Sequence, residues 1–127
     1  NTGHDGSLTT THANSPRDTV SRLETMVMMA GMDFPLKAIR DQISSAVNLI
    51  IQQARLPDGS RKITNITELC GMEGETVLMR DIFVYDTKGE KDVQGRFKGD
   101  FKCTGFTPRC VEKIIGNGVS VNCEWFR

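Results

Sequence analysis

The chain has 127 residues, 38% of them hydrophobic and 25% charged, which fits one globular domain and excludes disordered and fibrous classes. Sixteen basic residues balance sixteen acidic ones, whereas a module that reads phosphate backbones carries a basic surplus, so no nucleic-acid partner is expected. The longest apolar run, Met26–Met32, falls far short of the ~20 residues that span a bilayer.

Residues 1–15 are small and polar, lack Lys and Arg, and hold both histidines, His4 and His12. Threonines suit strands, so a short β segment is expected over Ser7–Thr11. A helix is predicted from Pro16: Ser15 caps it, proline suits the first helical position, and Asp18 completes a Ser-x-x-Asp pattern. Val20, Leu23, Val27 and Ala30 recur at helical spacing on one face, and Gly31 is the natural stop. A second helix begins near Pro35, with Leu36, Ile39, Ile43, Ala46 and Val47 as its apolar stripe. Two helices therefore occupy 16–48.

Residues 49–86 read as strands. Leu49–Ile51 and Ala54–Leu56 run into the turn Pro57-Asp58-Gly59-Ser60, and Ile63–Leu69 and Thr76–Tyr85 follow. Short connections point to an antiparallel hairpin or meander. In 87–127, the Lys/Gly/Asp-rich stretch Thr87–Gly99 reads as an exposed loop. A strand follows, then a short helix opened by Thr107-Pro108 and closed at Gly116-Asn117-Gly118. No internal repeat is present.

Cys70, Cys103, Cys110 and Cys123 contain no Cys-x-x-Cys pair, which argues against structural zinc and for reduced, mostly buried thiols. Met26, Met28, Met29 and Met32 are expected in the core, or else as an adaptable surface for a neighbouring subunit or a membrane-platform partner. His4, Asp5 and His12 lack the spacing of a metal site, and no serine sits in a Gly-x-Ser-x-Gly elbow. Two loop histidines can also be idle. Yet glycine and hydroxyl residues surround both imidazoles just before a capped helix, a setting able to place donors beside a phosphate. Arg40 lies one turn from Leu36 at the edge of the apolar stripe, where a partly buried guanidinium wants a carboxylate or phosphate. Arg17 and Arg22 could face a neighbouring subunit, while Arg17 and Glu24 also read as solvated helix charges.

The run from Thr2-Gly3-His4-Asp5-Gly6 to Thr11-His12-Ala13-Asn14-Ser15 resembles the histidine box of the type II/type IV secretion ATPases. Pro16-Arg17-Asp18, Arg22-Leu23-Glu24 and Ala38-Ile39-Arg40-Asp41-Gln42-Ile43 are similar to their CpaF-like branch, which powers Flp/Tad pilus assembly. Asp58–Arg61, Ile66–Glu68 and Thr104–Arg109 extend the resemblance. It implies a hexameric, cytoplasmic ATPase with a RecA-like core, acting at the inner face of the plasma membrane with inner-membrane platform proteins, and using ATP and Mg²⁺. No Walker A motif, Gly-x-x-x-x-Gly-Lys-[Ser/Thr], occurs, nor an apolar strand ending in an acidic pair that could serve as Walker B.

The implied fold is thus α/β, the C-terminal portion of a RecA-like P-loop domain, with helices packed on a partly antiparallel sheet. Asn1 fits such a piece, or a processed chain. The resemblance places His12 facing the γ-phosphate and His4 anchoring the same loop near the catalytic carboxylate. It sets Thr11 and Arg40 toward the nucleotide, Arg40 coupling nucleotide state to domain motion. On this reading the fragment alone is inactive and holds no tightly bound cofactor. The alternative is a non-catalytic protein-interaction module that keeps the fold.

Overall fold

The computed structural model describes residues 6–127. Helices α1 (Pro16–Met29) and α2 (Leu36–Ala46) precede strands β1 (Leu49–Arg55), β2 (Arg61–Glu73), β3 (Thr76–Lys91) and β4 (Phe97–Cys103), and helix α3 (Cys110–Gly116) leads to a 3-10 turn over Cys123–Phe126. The strands form one sheet in the order β1-β2-β3-β4. Helices plus sheet make the chain α/β, and the sheet is antiparallel throughout rather than only in part, because short turns join successive strands.

Two compact units divide the chain: the described residues through Asn48 together with Leu69–Met79, and Leu49–Glu68 together with Arg80–Arg127. In the first, α1 starts where its punctuation says. Ser15 is the N-cap, its side chain accepting from the Asp18 amide at 3.1 Å, and Pro16 holds the first position. Ser15→Ala is expected to cost about 1 kcal/mol, readable as a lower thermal midpoint. Past Met29, Gly31 takes φ +76° and its amide reaches Met28 O, so the helix ends there. Val20 is buried, but Ala30 at the C-cap is exposed, so the predicted stripe is buried mainly over its first turns. On α2, Ile39 and Ile43 are buried whereas Leu36 and Ala46 are exposed. Leu69 and Val77, flanking the β2–β3 turn, complete the buried set of this unit.

The second unit centres on Ile82, Val111 and Phe126, with Phe83 and Val121 packed against them. Phe83 stacks on Phe101 with centroids 5.4 Å apart and tilts against Phe126 at 5.9 Å. The chain end therefore belongs to this core: Asn122 caps the last turn by accepting from the Glu124 amide, which sets Phe126 inward.

Three expectations change. Ser7–Thr11 forms no strand, since exposed side chains and no partner strand leave nothing to fix it. The stretch 87–99 is no loop: β3 continues to Lys91, and Gly99 already lies in β4, opposite Thr87. A tight turn joins them, with Asp92 accepting from the amides of Gln94 and Arg96 and Gly95 at φ +76°. The four methionines are not core. Met26, Met28, Met29 and Met32 are 52–81% exposed.

Candidate functional site: the His12 loop and its arginine supports

His12 and Thr11 lie on the irregular segment that enters α1, and both are exposed. Among the described residues, neither the imidazole nor the Thr11 hydroxyl is engaged in a hydrogen bond or ion pair. Both remain available as donors. The segment leaves the helix in a fixed direction: Thr19 donates its amide (3.0 Å) and its hydroxyl (3.2 Å) to Ser15 O, while Pro16 fixes the next φ. His4 and Asp5 lie outside the described residues.

Arg40 finds the carboxylate that its position at the stripe edge called for. Its Nε donates to Glu24 Oε1 at 2.8 Å, with side-chain exposures of 29% and 13%, and its Nη1 donates to Glu75 O at 3.0 Å. The Glu24 hydrogen bond raises the guanidinium pKa further, so Arg40 is a permanent cation joining α1, α2 and the β2–β3 turn. Arg17 is exposed, as expected of a solvated helix charge, yet it is engaged: Nη1 donates to Val77 O at 2.8 Å. No sequence signal marks such a contact, because the acceptor is a backbone carbonyl. Arg22 is exposed.

The second unit has its own polar supports. Glu68, buried, accepts from Arg80 Nη2 at 3.2 Å and from the Arg109 amide at 2.6 Å. Arg80 lies over the Phe106 ring at 4.8 Å, and its Nε is buried with no hydrogen-bond partner among the described residues. Asp81 accepts from Asn65 and Thr67 across the sheet. An open groove of about 600 Å³ is lined by Lys62, Tyr85, Lys88, Arg96, Phe97 and Asp100, among others. Gly99 makes room for Tyr85, since a Cβ there would lie 2.6 Å from the Tyr85 ring.

Asp58 ties the β1–β2 turn to the start of β4. It accepts from the Ser60 hydroxyl (2.6 Å), the Phe97 amide (2.6 Å) and the Ser60 amide (2.9 Å), which together lower its pKa to about 2. A depressed carboxylate stabilises the fold above its unfolded pKa and loses that contribution as pH falls through the folded value. The Phe97 amide is therefore expected to lose hydrogen-exchange protection between about pH 4 and about pH 2, and in Asp58→Ala at every pH. Equal protection in the variant would contradict the tie.

Among the described residues, no group of three or more His, Cys, Asp or Glu is placed to hold a metal ion, and no disulfide joins the four cysteines. Cys123 is exposed and the other three are half-buried; burial is the first cause that pushes the Cys110 thiol up.

Two curated proteins of Mycobacterium tuberculosis, one from strain CDC 1551 / Oshkosh and one from strain ATCC 25618 / H37Rv, are each 35% identical to this chain over 74 residues, 58% of it. Both carry a name for conjugal transfer. The chain spans about a fifth of the length of these relatives (20%). The profile of the family described as Type II/IV secretion system protein matches residues 1–104. The α/β segment that carries the His12 loop, α1, α2 and the sheet thus belongs to the type II/IV secretion system protein family.

Proposed function

We propose that this chain is the C-terminal segment of a secretion or pilus-assembly ATPase of the CpaF-like branch, part of a RecA-like core that works as a cytoplasmic hexamer beneath inner-membrane platform proteins. One observation carries the proposal: in a chain of this family, His12 and Thr11 are exposed and uncommitted at the mouth of a capped helix. Hydrolysis of ATP, with Mg²⁺, transfers the γ-phosphoryl group to water and yields ADP and inorganic phosphate. Catalysis of such a step rests on positioned donors facing the equatorial oxygens.

The residues fit that task in part. The imidazole of His12 donates toward the γ-phosphate, with the Thr11 hydroxyl beside it and His4 anchoring the loop. Arg40 acts differently from a direct phosphate ligand. With Nε held by Glu24 and Nη1 by Glu75 O, it transmits nucleotide state between the helices and the hairpin. The phosphate cradle and the Mg²⁺ ligands come from a longer chain, because residues 1–127 contain no Walker A motif. The conjugal-transfer name of the relatives extends the class of work considered to conjugal transfer.

The purified 127 residues are expected to show negligible Mg·ATP turnover, while the longer protein releases phosphate. Robust turnover by the 127 residues alone would remove the assignment of the cradle to another segment. A second reading, a non-catalytic interaction module, is favoured by one feature, the exposed apolar run Met26, Met28, Met29, Met32 and Phe34. An inert longer protein would favour it.

A further inference from the structure

Two arginines on different helices reach for carbonyls two residues apart on one hairpin. Arg17, in the first turn of α1, donates to Val77 O at 2.8 Å, and Arg40, in α2, donates to Glu75 O at 3.0 Å. The hairpin turns on Gly74 and Glu75, with Gly74 at φ +61°. Arg40 also holds Glu24 of α1. Both helices are thereby fastened to the same hairpin end, but the two fastenings differ in what lies beside them. Arg40 is far along the chain from the His12 loop. Arg17 is five residues from His12, and the helix end of the link between them is fixed: Pro16 sets φ, and Ser15 accepts from the Asp18 amide through its hydroxyl and from the amide and hydroxyl of Thr19 through its carbonyl. Val77 itself is 2% exposed, so the acceptor stands on a fixed part of the core.

We propose that Arg17 is a positioning residue for His12: its bond to Val77 O fixes the first turn of α1 against the hairpin and so sets where the imidazole stands. The proposal rests on the phosphate-facing role of His12 given above. Arg17 makes no contact with the nucleotide in this scheme and acts through His12 alone. A guanidinium donating to a carbonyl is a charge-assisted bond, stronger and more directional than a neutral one, and a small misplacement of a reacting group is enough to slow a reaction up to about a hundredfold.

The test is a double-mutant cycle in the longer, ATP-hydrolysing protein, with steady-state Mg·ATP turnover measured for wild type, His12→Ala, Arg17→Met and the double variant. Arg17→Met keeps the aliphatic stem and removes the donor, and its thermal midpoint is measured alongside. The expected result is a fall in kcat on the order of tenfold with KM little changed. Arg17→Lys, which keeps a cationic donor, recovers most of that loss. In the His12→Ala background, Arg17→Met costs nothing further, because the group it positions is gone. Multiplicative losses in the double variant, or an Arg17→Met protein with wild-type kcat, overturn the proposal while leaving His12 in place. A His12→Ala protein with wild-type kcat overturns the phosphate-facing role and the positioning role together. Should Arg17→Met unfold, the cycle is run with Arg17→Gln, which also removes the cation, and a further fall in kcat when Arg17→Gln is added to His12→Ala is the contradicting result.

Discussion

Replacing Ile82 with alanine is expected to destabilise the second unit by about 3 kcal/mol, within the range of buried isoleucine truncations. Ile82 is 1% exposed and packs with Val111 and Phe126, residues that approach from α3 and from the final turn. Its removal leaves a cavity that three separate elements would have to move together to close. The loss corresponds to roughly 10 °C in thermal midpoint for a chain of this size. The single tryptophan, Trp125, precedes Phe126 in the last turn, so its fluorescence reports this unit directly. Met29→Ala, at 81% exposure, serves as the contrast and is expected to change stability by no more than about 0.5 kcal/mol. If Ile82→Ala behaves like Met29→Ala, the core of this unit lies elsewhere.

The parts of the fold that were legible were those fixed by chemistry between near neighbours. Ser15, Pro16 and Asp18 announce α1 because a cap is satisfied within three residues, and Pro57–Ser60 announces a turn because Asp58 can bond Ser60 directly. The β3–β4 hairpin was not legible. Thr76–Tyr85 reads as a strand, but beyond Tyr85 the paired segments are rich in charged and small residues, and cross-strand pairs such as Lys102 with Asp86 (2.8 Å) and Lys88 with Asp100 (2.6 Å) bridge them on the exposed surface. A search for apolar alternation passes over such strands. The methionine run misled for the opposite reason: apolar residues in a helix suggest burial, yet only the face bearing Val20 is covered.

The candidate site divides the same way. His12 and Arg40 could be singled out from residue type and setting and Thr11 only through the family resemblance, and the need of Arg40 for a carboxylate or phosphate could be argued from its place beside Leu36. Its partner Glu24 could not be chosen among the acidic residues before the helices were packed. Arg17 was hidden more deeply. Its acceptor is 60 residues away and is a backbone carbonyl, which every residue possesses and no sequence pattern distinguishes. The Glu68 contacts were hidden for a related reason, one of them being a backbone amide 41 residues distant.

Replacing His12 with alanine in the longer protein is expected to lower kcat by about two decades, the typical loss when one donor to a developing oxyanion is removed, on the order of 3 kcal/mol. The change belongs in kcat because the donor matters most as charge builds on the transferring group, so KM should move little. Stability should not change, since His12 is exposed and no hydrogen bond or ion pair among the described residues depends on it. That separation makes the variant informative, as lost turnover cannot be a folding defect if the thermal midpoint is retained. The most direct measurement is therefore single-turnover cleavage of prebound Mg·ATP by the longer protein, wild type against His12→Ala, followed by rapid quench. A cleavage step slowed about a hundredfold at unchanged nucleotide affinity is the predicted result, and an unchanged cleavage rate would contradict the assignment of this loop to the γ-phosphate.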